Sequence, residues 1–563
     1  MKLVKSLLLG SAAGLCAVTV AQAADLPMRA AAPVEYVRVC SAHGAGYFYI
    51  PGTDTCLRVG GRVRFSYQYM SSRTHGSDIY GRNGGLVGKD NSAFQSLAFL
   101  NFDARTSTGY GTLRTFIRVI AAYSSGGYLT SGTSQRFGQS YPALGQDTFG
   151  RANTTMYLDK AFIQFAGFTA GRAGSFFDFY AHDLEHFAAT SGSDVASTNL
   201  LAYTATFGGG WSATISIEDP IARRQPIFAD TANGTAIVGG PNLGQVFGTF
   251  TQSVTYRAPD GTLRAAQYDV VQRELVPDVV AAIRYDAPWG AAQVSAAMHE
   301  LRPGRLVTTA PLSFTANGTP VVGATTNSLT AGGGLPASKI REEIGWAVQG
   351  GLKINLPMIA TGDVLWLQAA YSEGAMQYAG NPARFAGQES LANGYSGRFA
   401  VSTVDSFIGS DGKQKLTEAW SVTGAFLHYW APQWRSAVFG SYAEVSFGKG
   451  ARGPNAPAVL APGSALGATL LGLTDARLRD YSVGVVGANL IWSPIKDLDI
   501  GLEGVYTRVT LKGGAVTDGS FGSVAQTGRT LTGAYVPGAG VVPAKTAKYD
   551  DVWSLRMRVQ RDF

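Results

Sequence analysis

Residues 40–69 read CSAHGAGYFYIPGTDTCLRVGGRVRFSYQY. From Leu57 onward the segment alternates. Leu57, Val59, Val63, Phe65, Tyr67 and Tyr69 fall on one face of an extended strand, and Arg58, Arg62, Arg64, Ser66 and Gln68 on the other. A dry core does not accept a row of guanidinium groups, so the arginine face must meet water. Residues 112–120 repeat the pattern, with Leu113, Ile117 and Val119 against Arg114 and Arg118. So does the C-terminal stretch. Counting back from Phe563, Arg561, Val559, Met557, Leu555 and Trp553 oppose Asp562, Gln560, Arg558, Arg556 and Ser554. One reading satisfies both faces: the apolar side meets lipid and the polar side lines a wet lumen.

The N-terminus supplies the compartment. Lys2 and Lys5 precede a short apolar run, Leu7 to Val20, and the small-x-small site Ala21-Gln22-Ala23. This is the pattern of a secretory signal peptide, residues 1–23, cleaved after Ala23. A permanent anchor fits less well, because the run is short and Ala24-Asp25-Leu26-Pro27 follows it. Without Lys2 and Lys5 the chain has 44 basic residues against 39 acidic ones, a mild +5 with no basic cluster, so nucleic acid is not an expected partner. Cys16 leaves with the signal. Cys40 and Cys56 remain, an even pair in an oxidising compartment, and the expected outcome is a disulfide closing a Gly-rich loop. No cofactor and no metal site is expected.

Gly accounts for 71 of 563 residues, aromatics for 11% and charged residues for only 15%. No apolar run after the signal is long enough for a transmembrane helix. An exported chain of this kind fits a β-solenoid, a sandwich array or a transmembrane β-barrel, and connection lengths decide among them. Candidate strands fall at 57–69, 94–105, 111–123, 154–166, 168–174, 199–207, 211–219, 277–286, 289–301, 343–356, 362–373, 417–430, 434–447, 479–493, 498–510 and 550–563. The count is even. Seven connections are short, for example Thr108–Tyr110, Gly208–Gly210 and Ala431–Gln433. Eight are long and rich in Gly, Ser, Thr and Ala, and the two kinds alternate strictly. An up-and-down barrel predicts this, with tight turns on the periplasmic side and long loops outside. A solenoid or propeller would show a fixed repeat, which is missing. The expected fold is therefore all-β: a 16-stranded antiparallel transmembrane β-barrel over 57–563, preceded by a periplasmic segment, 24–56. Several long connections have room for hairpins of their own.

The block EYVRVC, residues 35–40, followed by GAGYFYIPGT, residues 44–53, and TCLRV, residues 55–59, resembles the start of mature porins of alphaproteobacteria. The signal segment KSLLLGSAA, the GTLRTF stretch at 111–116, the AFIQF strand at 161–165 and the terminal strand Arg556–Phe563 resemble theirs more loosely. The resemblance implies a homotrimeric diffusion porin in the outer membrane, contacting lipid and lipopolysaccharide and passing small hydrophilic solutes. The terminal Phe563 resembles the aromatic signature read by the barrel-assembly machinery. By the same resemblance the third long loop, about 173–198, folds inward as a constriction. It would carry Asp178, Asp183, Glu185 and Asp194 against a basic wall of Arg58, Arg62, Arg64, Arg114, Arg118, Arg556 and Arg558. Opposed charges across a neck order water and bias ion selectivity. Seven arginines against four acids lean the neck toward anions. The bland alternative is that some arginines only hold the loop in place.

His182 and His186 are spaced i, i+4 but lack a third ligand, and the run is not HExxH. No GxSxG, Walker or dinucleotide fingerprint is found, so no enzyme is expected. A barrel hydrolase would need a Ser/His or Asp/His constellation near the rim. The alternative function is a substrate-selective outer-membrane channel with a loop-built vestibule. An aromatic stripe along one wall would favour it, and the sequence shows no clear stripe.

Overall fold

A computed structural model describes residues 38–71, 92–125, 145–146, 152–180, 190–193, 197–225, 227–229, 251–257, 263–269, 275–302, 306–311, 313–314, 320–321, 342–380, 388–390, 400–402, 404–408, 414–448, 480–513, 516–517 and 546–563. The chain divides into two compact units, one ending at Leu57 and one spanning Arg58–Phe563. In the first, Cys40 and Cys56 form a disulfide with their Cα atoms 5.9 Å apart. Both cysteines and Tyr47 are buried together, with Tyr49 packed against them. The strand Phe48–Tyr49 pairs with Leu57 and Cys56, and the Arg38 guanidinium lies 4.6 Å over the Tyr49 ring.

The second unit is a ring of sixteen strands. In chain order they are β1 (Cys56–Met70), β2 (Ser92–Thr108), β3 (Gly111–Ser125), β4 (Ala152–Phe165), β5 (Phe168–Ala173), β6 (Thr198–Gly208), β7 (Trp211–Glu218), β8 (Asp278–Ala287), β9 (Gly290–Leu301), β10 (Glu343–Asn355), β11 (Val364–Glu373), β12 (Glu418–Ala431), β13 (Trp434–Ser446), β14 (Tyr481–Ile495), β15 (Leu498–Leu511) and β16 (Tyr549–Asp562). Each pairs with its sequence neighbours, and β16 pairs back onto β1 from Arg62 opposite Asp562 to Met70 opposite Ser554. Closure gives each of the sixteen strands a partner on both sides, which a bilayer requires because lipid cannot satisfy backbone N–H and C=O groups. The sixteen elements match those expected from the sequence, shifted by a few residues at their ends. β5 is the shortest, at six residues. Several long connections also contain strands, such as Thr251–Arg257 paired with Leu263–Asp269.

Polarity is inverted relative to a soluble domain. The outward positions of the strands carry Phe65, Leu100, Ile117, Ile215, Val294, Val348 and Leu555, all exposed. The inward positions carry Gln68, Gln95, Ser216, Gln293, Gln349 and Ser554, all buried. Aromatic pairs mark both rims of the outward face. Trp211–Tyr285 (4.7 Å) and Trp434–Trp492 (5.8 Å) lie beside the short turns. Trp346–Tyr371 (5.5 Å) and Tyr506–Trp553 (4.6 Å) lie toward the long connections. Amphipathic rings at two levels, with aliphatic side chains between them, are what a bilayer with two interfaces selects.

Candidate channel lumen

β5 stops at Ala173, and the chain turns onto the inner face of the barrel. The Phe176 N–H donates to Glu218 of β7 (3.1 Å). The Phe177 carbonyl accepts from Ser295 Oγ of β9 (2.7 Å) and Gln349 Nε2 of β10 (2.6 Å). The Tyr180 N–H donates to Gln368 of β11 (3.2 Å), and the Ser191 N–H to Ser441 of β13 (2.8 Å). Apolar contacts run alongside. Phe177 is buried with Val280, Ala297, Ala347 and Tyr378, and Tyr180 stacks on Trp366 at 4.8 Å. A Cβ at Gly351 would collide with the Phe179 ring, so this strand position must be glycine for the loop to lie so close. The inward glutamines and serines of β9–β13 thus replace the water that the loop backbone would otherwise need.

A buried polar chain fastens the loop. Arg223 donates to Asp178 (2.8 Å) and to Ser193 Oγ (3.1 Å), and its guanidinium lies 4.0 Å over the Tyr378 ring. The Tyr378 hydroxyl donates to Asp278 (2.6 Å), whose other oxygen meets His299 Nδ1 at 2.7 Å. Asp405 accepts the N–H groups of Gln225 (2.8 Å) and Met376 (2.9 Å). Burial opposes the charge on Arg223, but Asp178, Tyr378 and Glu218 outweigh it and hold its pKa above the ordinary value. Burial, reinforced by Asp278, pushes the Tyr378 hydroxyl well above the usual tyrosine range.

The arginines sit elsewhere on the ring. Arg62 pairs with Asp562 across the β1–β16 seam. Arg64 donates to Gln560 (3.0 Å). Arg114 donates to both oxygens of Asp103 (2.9 and 3.0 Å) and to Gln164 (3.1 Å). Arg118 donates to Asn101 (2.9 Å) and lies 3.6 Å from Asp159. Arg105 shares Asp103 with Arg114. Arg64, Arg556 and Arg558 are almost completely covered, whereas Arg58 is exposed. In a closed ring of sixteen, β2 and β10 lie eight places apart, half-way round. The arginines occupy β16 and β1–β3 while the loop rests on β7–β13, so the chain order puts the two groups on different parts of the ring.

Of the four expected loop acids, Asp178 is engaged by Arg223; Asp183, Glu185 and Asp194, like His182 and His186, lie outside the described residues. Sequence reading missed Arg223, Tyr378, Asp278 and Asp405, which come from connections and strand ends far apart in the chain. It also missed an aromatic row on the inner wall. Phe99, Phe116 and Phe162 come from three different strands, so no stripe runs along the chain. The inward parity of β2, β3 and β4 does contain them.

A closed ring with an apolar exterior, a polar interior and an inward-folded connection defines a β-barrel of the outer membrane. A family profile described as Porin subfamily matches residues 25–529, and the chain belongs to that family. It is similar to porin Omp2b of Brucella canis, 34% identical over 298 residues, covering 51% of this chain and 63% of that one. It is also similar to porin Omp2a of Brucella ovis, 39% identical over 227 residues, covering 38% and 59%. The chain thus spans less than two thirds of the length of these relatives. Among solved structures, the outer membrane channel DcaP of Acinetobacter baumannii aligns over 92% of this chain and 99% of that one, with 12% identity and a TM-score of 0.47.

Proposed function

We propose that the protein forms a water-filled channel through which small hydrophilic solutes and ions diffuse passively across the outer membrane. The observation that carries this reading is the inverted polarity of a closed sixteen-stranded ring whose third long connection, after β5, is bound to the inner wall. A packed barrel would fill its interior with apolar side chains alone; this one also faces inward with many glutamines, serines and arginines. Family membership supports the same reading and favours a channel over an enzyme.

The finer assignments belong to the same proposal. The arginines of β1, β3 and β16 line one side of the lumen, and the loop after β5, about 173–198, narrows the other. Their opposed charges set the ion preference. Residues 1–23 are removed after Ala23, 24–56 form the periplasmic segment, and three copies assemble in contact with lipid and lipopolysaccharide. The assembly machinery reads the strand ending in Phe563. Purified protein added to a planar lipid bilayer in KCl is expected to insert in discrete conductance steps. A folded, heat-modifiable preparation that never conducts would remove the reading.

A further inference from the structure

Phenyl rings and guanidinium groups alternate without a break across the inner wall of β1–β4. The Arg62, Arg64 and Arg118 guanidinium carbons lie 5.7, 5.9 and 5.7 Å from the Phe99 ring centre. Arg118 lies 5.6 Å from Phe116, and Arg114 5.2 Å from Phe116 and 5.5 Å from Phe162. Phe116 and Phe162 stack on each other at 5.3 Å, and both are only partly buried.

Charge on this wall is not balanced pair by pair. Asp103 is one carboxylate shared by Arg105 and Arg114. The bonds of Arg114 to Asp103 and Gln164 use three of its N–H donors out of five. The wall therefore offers flat apolar faces, N–H donors and surplus positive charge side by side.

The geometry points to a solute class: planar anions, and aromatic carboxylates above all, bind transiently at Phe116, Phe162 and Arg114 as they pass. Such a solute stacks on the phenyl faces while its carboxylate accepts from the guanidinium beside them. Its charge meets an excess of cations rather than a desolvation cost. A neutral sugar can also stack on a ring, but it has no charge to pair with the guanidinium, whose spare groups are donors. This inference rests on the reading of the barrel as a channel and gives that channel a preferred solute.

The test uses the full protein in a planar bilayer, with benzoate as probe. The comparators are cyclohexanecarboxylate (an anion without a flat ring), benzyl alcohol (a flat ring without charge) and maltotriose (a neutral sugar). Benzoate is expected to interrupt the KCl current at concentrations about threefold to tenfold lower than cyclohexanecarboxylate, the scale of one aromatic pairing. The Phe116→Leu/Phe162→Leu double variant should lose that advantage while still inserting in KCl steps and keeping the parent's heat-modified band. Arg114→Gln should weaken benzoate and cyclohexanecarboxylate alike. Benzoate no better than cyclohexanecarboxylate, or maltotriose binding as tightly as benzoate, would overturn the assignment. A parent without KCl steps would sink the channel reading instead. Calorimetric titration of benzoate into the detergent-solubilised barrel would then decide the site, with binding lost in the double variant supporting it and no binding to the parent overturning it.

Discussion

Gly61 and Phe563 exchange both of their backbone hydrogen bonds, Gly61 N–H to the Phe563 carbonyl at 2.9 Å and Phe563 N–H to the Gly61 carbonyl at 3.0 Å. The pair completes the seam between β1 and β16. A Cβ at Gly61 would stand 2.5 Å from Phe563 Cζ and 2.6 Å from the Phe99 carbonyl oxygen. The phenyl tip could swing away, but the Phe99 backbone could not. Gly61→Val is therefore expected to destabilise the barrel by about 1–3 kcal/mol, the usual cost of overpacking. The temperature at which the folded band disappears in unheated-to-heated electrophoresis should fall. An unchanged midpoint would show that the seam tolerates a side chain there.

The Cys40–Cys56 disulfide closes a loop with a sequence separation of 16. In the chain-entropy account this constrains the unfolded segment by about 3 kcal/mol. Cys40→Ser/Cys56→Ser should leave the conductance intact and make the N-terminal segment sensitive to protease, since the link lies within the first unit. Thiol labelling of the denatured, unreduced protein should find no free thiols; two per chain would contradict the bond.

Arg223 is the hub of the loop anchor. Removing it takes the guanidinium away from the Asp178 carboxylate and uncovers the Tyr378 ring. Losing one partner of a buried ion pair costs about 3–5 kcal/mol. Arg223→Ala should loosen the inner loop, seen as flickering of the open channel and a larger mean conductance. The Arg223→Ala/Asp178→Asn pair should be quieter than Arg223→Ala alone, because it also removes the carboxylate charge. Open-channel noise as quiet in Arg223→Ala as in the parent would mean that Phe177 and Tyr180 hold the loop without it.

Tyr378 adds a pH dependence with a definite sign. Its folded pKa stands well above the ordinary 10.0. Below pH 10 the hydroxyl is neutral in both states and its contribution is fully present. Above it the unfolded chain gives up the proton while the folded chain keeps it, so stability falls as pH rises. The advantage of the parent over Tyr378→Phe should be flat from pH 6 to 9 and then shrink by at most ~1.4 kcal/mol per pH unit. An advantage that grows above pH 10 would reverse the sign.

Ion preference tests the basic wall. Neutralising Arg62 and Arg114 together should shift the reversal potential in a salt gradient toward cations, because unpaired wall charge acts within about 8 Å at physiological salt. Asp178→Asn should shift it toward anions by exposing the charge of Arg223. Removing Arg62 leaves the Asp562 charge without it, and removing Arg114 leaves Asp103 to Arg105, so both arginines should contribute to the first shift. If both variants keep the parental potential while forming open channels, these residues do not face the conducting path.

Strand count, face parity and the alternation of short and long connections were legible in the chain. A strand's period of two is local, and lipid on one side and water on the other write it directly into successive residues such as Val63, Arg64, Phe65 and Ser66. The cysteine pair was legible for a similar reason, since it needed only an exported compartment and an even count. Tertiary structure alone decided how the lumen is furnished. Asp178 finds Arg223, and Tyr378 finds Asp278, because the ring brings together connections whose separation in sequence carries no signal. Phe99, Phe116 and Phe162 form a row only when β2, β3 and β4 lie in register. Periodicity says which face a residue occupies; only the pairing of strands and the docking of the inner loop say what stands beside it.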